Sequence, residues 1–288
     1  MPQNLYIGRF APTPTGPLHF GSLVAALASY LDAKANHGKW LLRIEDLDPP
    51  REDPTASTTI PKQLTDHGLI WDGDIVYQSQ QSQAYEAALN HLAEHHQTFF
   101  CQCSRKQLAP SQGRHLGACD STEENAAIRL AVPNKVITFK DGVYGAFEQN
   151  LLKEVGDQVL KRKDGLYAYQ LAVVVDDYLS GVTHVVRGVD LLDNTPRQIY
   201  LMQCLGYPIP HYLHIPLVTN PQGQKLSKQN QAMAIDSQYA KANLIEALEF
   251  LQQPVTPAMR NADIESLLRL ASDQWQPKRI APSKAGLI

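Results

Sequence analysis

The sequence predicts an α/β fold: a Rossmann-like parallel sheet, split by a small cysteine-bearing insertion and followed by a short helical C-terminal part. Three observations carry this. Residues 5–29 read as a strand, a loop broken by prolines and glycine, and an apolar-faced helix. Residues 39–45 hold the run Trp40-Leu41-Leu42 and Ile44 after Gly38, which suits a strand buried on both faces. A second helix-then-strand pattern, opened by Tyr169 and closed by Arg187, resumes the same rhythm after the cysteines.

In chain order, Leu5, Tyr6 and Ile7 form the first strand, and Pro12, Pro14, Gly16 and Pro17 break the loop after it. The helix starts near Leu18 or Gly21 and places Leu23, Leu27 and Leu31 on one face. The free N–H groups and positive end of such a helix favour a phosphate. His19 and Ser22, three residues apart, can reach one bound group, and Gly21 lets a nucleotide approach the backbone. The alternative is a surface loop in which His19 caps its own turn. A partner stretch lies about 200 residues later, where Lys225 and Lys228 flank Ser227 in a polar loop that carries Gly223, Asn220 and Asn230. Lysines aimed at a phosphate chain stabilise charge that develops on it during transfer; the alternative is a solvated pair.

A right-handed strand–helix–strand crossover brings Arg9 and Glu45 to the same sheet edge. Arg9 offers a planar fork for a carboxylate and Glu45 an acceptor for an ammonium group, a pair suited to gripping an amino acid. Glu45 could otherwise be a solvated strand end. Helices are expected over about residues 61–68 and 82–96. Next comes Cys101-x1-Cys103-x11-His115-x3-Cys119, which gathers three of the four cysteines within 19 residues. Clustered thiols in a reducing compartment point to metal, and four N/S donors suit a closed tetrahedral zinc site. Buried or free thiols are the alternative. Cys204 reads as core.

Residues 125–149 carry short apolar pieces broken by Pro133 and by Asp141-Gly142, consistent with a small antiparallel unit closed by a hairpin. Tyr169 opens a helix ending near Asp176-Asp177, and residues 183–187 form a strand that delivers Arg187 to the sheet edge. Tyr169 and Arg187 there can complete a pocket for a second carboxylate. Simple packing for Tyr169, and a salt bridge from Arg187 to Asp176, Asp177 or Asp190, are the alternatives. Two amphipathic pieces follow, residues 244–251 and 264–271, and residues 276–288 are expected to be loosely ordered.

A hydrophobic fraction of 43% with 19% charged residues is that of a globular chain rather than a membrane or disordered one. The longest apolar runs, such as residues 171–175, are far too short to span a bilayer, so a cytoplasmic protein is expected. A net charge of −3 gives no whole-molecule attraction to nucleic acid. RNA contact would need a local basic face such as Lys278, Arg279 and Lys284.

His19-Phe20-Gly21-Ser22 and Lys225-Leu226-Ser227-Lys228-Gln229 resemble the HIGH and KMSKS motifs of class I aminoacyl-tRNA synthetases, departing at the fourth and fifth positions respectively. Arg9-Phe10-Ala11-Pro12-Thr13-Pro14-Thr15-Gly16, Leu42-Arg43-Ile44-Glu45-Asp46-Leu47-Asp48 and the stretch from Tyr169 to Gly188 look like the glutamyl branch. The resemblance covers about residues 5–235, and within it the chain is similar to the short glutamyl-queuosine tRNA(Asp) synthetases. It implies a ligase that makes glutamyl-adenylate from L-glutamate and ATP with Mg²⁺, without tRNA. The glutamyl group then passes to queuosine in the anticodon stem-loop of tRNA(Asp).

By the same resemblance His19, Lys225 and Lys228 are catalytic, and His19, Gly21, Ser22 and Lys228 bind ATP. Arg9, Ala11, Thr13, Glu45, Tyr169 and Arg187 bind glutamate, while Cys101, Cys103, His115 and Cys119 hold one structural Zn²⁺. The implied division is residues 1–80 and 165–238 for the two halves of the nucleotide-binding domain, 81–164 for the zinc-binding insertion and 239–288 for a short helical region, in a monomer. The helical domains that follow the lysine loop in ordinary glutamyl-tRNA synthetases have no counterpart here, which favours the anticodon as acceptor. A minimal glutamyl-tRNA synthetase charging a 3′ end, a nucleotidylyltransferase and a catalytically silent tRNA-binding paralogue are the competing readings.

Overall fold

The computed structural model describes residues 5–95, 97–117, 119, 121–219 and 233–283. The chain opens with β1 (Ile7–Phe10), α1 (Phe20–Ala35) and β2 (Lys39–Ile44), and β1 lies parallel to β2 with Ile7 opposite Lys39. The strand starts later than the expected Leu5, because Tyr6 turns inward and its hydroxyl bonds Asp32 of α1. Leu23, Leu27 and Leu31 are fully buried, as their helical spacing predicts. Gly38, which ends the α1–β2 turn, has no room for a side chain: a Cβ there would sit 2.4 Å from the carbonyl oxygen of Tyr6.

The next helix, α2 (Ala56–Asp66), begins five residues before the expected Pro61 and carries that proline inside it. A mid-helix proline removes a hydrogen bond and costs about 3 kcal/mol or more. Ala56 and Ile60, both fully buried in the main core, offset that loss. β3 (Val76–Tyr77) pairs with the far side of β2.

Residues 82–161 contribute α3 (Ser82–Glu94), β4 (Thr98–Cys101), α4 (Arg105–Leu108), β5 (Ala127–Leu130), the hairpin β6 (Val136–Asp141) with β7 (Gly145–Asn150), and β8 (Gln158–Lys161). Then come α5 (Tyr169–Leu179), β9 (His184–Gly188), α6 (Thr195–Leu205) and β10 (His211–Ile215). β4, β5 and β8 form an antiparallel sheet, whereas the hairpin joins β10 and β9 in the order β7-β6-β10-β9. Residues 125–149 are therefore divided between two sheets rather than forming one unit. The hairpin turn falls after Asp141 as expected. Gly142 N also donates to Tyr212 O at 2.9 Å, tying the turn to β10.

β9 lies beside β1, joined where Thr183 N donates to Ile7 O at 2.9 Å, so the carboxyl ends of β1, β2, β9 and β10 converge. In open α/β sheets, ligands bind in the crevice outside the carboxyl ends of the strands. α7 (Ala240–Phe250), α8 (Pro257–Asn261) and α9 (Ile264–Asp273) complete the described chain, with α7 and α9 packed on α1. Residues 276–283 are better held than expected. Trp275 Nε1 donates to Asp32 Oδ1 at 2.7 Å, Gln276 N to Gln253 Oε1 at 2.9 Å, and Ile280 is buried. Among the described residues no helix is long and apolar enough to cross a membrane.

Candidate active site and metal centre

A cleft of about 770 Å³ opens at the sheet's carboxyl edge, between the β1–α1 loop and the segment after β10. Thr13, Thr15, His19, Gly21 and Ser22 line one wall, Gly188, Asp190 and residues 215–218 the other, and Arg51 stands at its margin. His19 caps α1, its Nδ1 accepting from Ser22 N at 3.2 Å. That cap fixes the ring beside the cleft, so capping and ligand contact are compatible. A Cβ on Gly21 would meet the His19 ring at 3.2 Å, which explains the small residue.

Lys225 and Lys228 lie outside the described residues. The flanks of their segment do border this site. Val218 lines the cleft, and Ala234 bridges His19, with Ile235 N donating to Leu18 O at 2.9 Å. Gln63 clasps both strands of that junction, accepting from Leu18 N at 2.7 Å and donating to Ile235 O at 3.2 Å.

Arg9, Glu45, Tyr169 and Arg187 do not line this cleft; they form a separate polar cluster. Arg9 is 4% exposed and grips Asp177 through Nε at 3.0 Å and Nη2 at 3.2 Å. Arg43 reaches the same carboxylate at 2.6 Å and Glu45 at 3.3 Å. Burial would raise the Asp177 carboxyl, but the two guanidinium groups outweigh it and hold it below the usual range. For Glu45 burial wins over Arg43 and Arg9, and its carboxyl is raised. Burial also raises the Tyr169 phenol, which feels Glu45, Arg187, Arg9 and Asp177 together. The structure thus brings the four expected residues into one electrostatic neighbourhood. Thr13 lies in the cleft wall, and Ala11 falls between Arg9 and Thr13 along the chain.

Arg187 makes none of the carboxylate bridges weighed from sequence. Its Nε donates to His214 Nε2 at 3.0 Å, and its Nη2 donates to Thr195 Oγ1 at 2.8 Å and Leu191 O at 3.2 Å. Sequence reasoning missed Arg43, Asp177, His214 and Asp141 as parts of this site. Arg43 had a signal, sitting in β2 two residues before Glu45, a spacing that in extended chain turns both side chains the same way. Asp177 had one too, as a charge ending the apolar run of α5. His214 sits in a buried strand and had none.

In the insertion, Cys101, Cys103, His115 and Cys119 come together, with all four donor atoms within 4.8 Å of one another. His115 Nε2 faces Cys119 Sγ at 2.9 Å, and Cys103 Sγ lies 3.4 Å from the same sulfur. Tetrahedral zinc with bonds of about 2.0–2.3 Å requires similar separations, so the donor set fits such an ion. Burial and the neighbouring Cys103 and Cys101 thiols push the Cys119 thiol up to about 12, a crowding that a bound cation would reverse. Asp157 supports the centre from behind: Oδ2 accepts from His115 Nδ1 at 2.9 Å and Gly117 N at 3.0 Å, and Oδ1 from Val132 N at 2.9 Å. Cys204 is half-buried on α6 and is not part of the cluster.

The family pattern described as "tRNA synthetases class I (E and Q), catalytic domain" matches residues 7–253. The chain is 53% identical to a protein of Pseudomonas entomophila (strain L48) named glutamyl-Q tRNA(Asp) synthetase, over 98% of this chain and 96% of the other. It is 47% identical to one of the same name from Cronobacter sakazakii (strain ATCC BAA-894), over 97% and 95%. Among solved structures it is similar in fold to a glutamate-tRNA synthetase from Elizabethkingia anophelis, with a TM-score of 0.83 at 22% identity, covering 98% of this chain and 68% of that one.

Proposed function

The chain belongs to the class I tRNA synthetase family specific for glutamate and glutamine, and from that premise we propose that it activates L-glutamate with ATP and passes the glutamyl group to queuosine in tRNA(Asp). The observation that carries this is the match, over nearly the full length of both chains, to relatives named glutamyl-Q tRNA(Asp) synthetase.

In the first step the α-carboxylate of glutamate attacks the α-phosphorus of ATP in line, the bond to the β-phosphate oxygen breaks and pyrophosphate leaves. Such a step needs positioning and charge neutralisation more than a general base. His19, Gly21 and Ser22, with the N–H groups opening α1, hold the nucleotide with its Mg²⁺. Lys225 and Lys228 neutralise the departing phosphates. Arg9, Ala11, Thr13, Glu45, Tyr169 and Arg187 select the amino acid, Arg187 meeting its side-chain carboxylate. In the second step a hydroxyl of the queuosine base attacks the adenylate carbonyl and AMP leaves. Cys101, Cys103, His115 and Cys119 hold one zinc ion as a structural cross-link. Residues 1–80 and 165–238 act as the nucleotide-binding halves and 81–164 as the insertion, with hairpin β6–β7 reaching back to the sheet, and 239–288 as a helical buttress. The acceptor is the anticodon stem-loop, the chain acts as a monomer, and its site of action is the cytoplasm.

The test is acylation of total tRNA with labelled glutamate. Label should survive periodate treatment and trimming of the 3′ adenosine, and vanish when the tRNA comes from cells unable to make queuosine. Label lost with the 3′ end would instead identify an enzyme that charges the terminus. Pyrophosphate exchange with glutamate should proceed without tRNA.

A further inference from the structure

His214 is fully buried in β10, away from the cleft and outside the set expected to touch substrate. Its partners fix its protonation. Asp141 Oδ2 lies 2.7 Å from Nδ1 and also accepts from His214 N at 3.0 Å, while Oδ1 accepts from Val143 N and Tyr144 N, each at 2.9 Å. A carboxylate so placed only accepts, so Nδ1 carries the proton. At the other end, Arg187 Nε–H can only donate, so Nε2 must present its lone pair. Both ends demand the same neutral tautomer. Burial agrees, lowering the imidazole from its ordinary value to about 4.

The two arginines of the pocket are held by different means. Arg9 is bound to a carboxylate that it shares with Arg43. Arg187 is fixed as firmly, by His214, Thr195, Leu191 O and the Tyr212 ring 5.4 Å below its guanidinium. Among the described residues, however, no carboxylate lies within ion-pair distance of it, and its Nη1 has no hydrogen-bond partner. A carboxylate at the histidine's place would hold the arginine equally well and cancel its charge.

We infer that His214 is a positioning residue for amino-acid selection: an uncharged acceptor, braced by Asp141, that aims the Arg187 guanidinium while leaving its charge for the substrate's side-chain carboxylate. The inference rests on the reading of Arg187 as the residue that meets that group. It accounts for a histidine in a strand interior, where an apolar residue would pack without needing a partner.

The test is pyrophosphate exchange by the full chain with glutamate and with glutamine. His214→Asn removes the acceptor at the Nε2 position and should raise the KM for glutamate about 10- to 100-fold, the scale of a hydrogen bond to a charged group. The KM for ATP should stay within about twofold, and the preference over glutamine should shrink by a similar factor to the glutamate effect. His214→Gln returns a neutral acceptor near Nε2 and should recover most of the loss. Equal loss in both variants, or parallel shifts in both KM values, would overturn the inference in favour of a purely structural role. Arg187→Leu separates the two claims: an unchanged glutamate KM there removes the pocket assignment and the inference with it. A large effect there beside a silent His214→Asn removes the inference alone. Should His214→Asn fail to fold, ¹⁵N-imidazole spectra of the unmodified protein still decide. The His214 resonance, identified by its absence from His214→Gln, should report the Nδ1–H tautomer and move on saturation with glutamate but not with ATP. The opposite tautomer or an unmoved resonance would refute the inference.

Discussion

The candidate metal centre and the proposed amino-acid pocket are both clusters of polar side chains, yet they are assembled in opposite ways. The centre draws its donors from one stretch of 19 residues, with Asp157 behind it. The pocket takes Arg9 from β1, Arg43 from β2, Asp177 from α5, Arg187 from β9 and His214 from β10, so it exists only once the whole sheet is in place. A local cluster can be organised by one ion, whereas a dispersed one depends on mutual charge compensation, and losing one member leaves the others buried and unpaired. Pocket and centre should therefore respond differently to the same kinds of insult.

The largest effect expected is for Asp177→Ala, which leaves Arg9 and Arg43 buried without their shared carboxylate and should cost about 3–5 kcal/mol in urea unfolding, with loss of pyrophosphate exchange. A loss under about 1 kcal/mol would mean the pocket is not held by its ions.

Acidification comes next. The folded pKa of His214, about 4, is below its ordinary value of about 6.5, so in that window the unfolded chain binds more protons. Stability from this group is complete above about pH 6.5 and is lost as pH falls toward 4, by about 3 kcal/mol in all. His67 and His184, also lowered by burial, act with the same sign, so the measurement is the difference in unfolding free energy between wild type and His214→Gln across pH 4–7. Parallel curves would contradict the buried neutral tautomer.

Asp157→Asn tests the support of the metal centre. Losing the carboxylate that orients His115 should weaken zinc about 10- to 100-fold in a competition titration, with little change in the KM for glutamate. Unchanged affinity would show that the backbone of residues 101–119 alone sets the donors. The smallest effect is predicted for chelation. A closed four-ligand centre has no open position for chemistry, so removing zinc should leave tRNA-independent exchange within about threefold while protease susceptibility of the insertion rises. Abolished exchange would erase the distinction between the two clusters.

The same contrast explains what could be read in advance. The helix of Leu23, Leu27 and Leu31, the buried strand around Trp40 and the Cys/His spacing are local patterns, and periodicity and ligand chemistry make them legible in one dimension. The family motifs likewise pointed to Arg9, Glu45, Tyr169 and Arg187 as a group. Sequence did not reveal how those residues are held. The shared grip of Arg9 and Arg43 on Asp177 joins positions 168 and 134 residues apart, and the bond between Arg187 and His214 links neighbouring parallel strands with Asp141 of the β6–β7 hairpin behind it. A hydrogen-bond partner is chosen by which strand lies alongside and which face turns inward. Hydrophobic burial over the whole sheet fixes both, so the residue types were set by the sequence and their pairing and protonation by the tertiary structure.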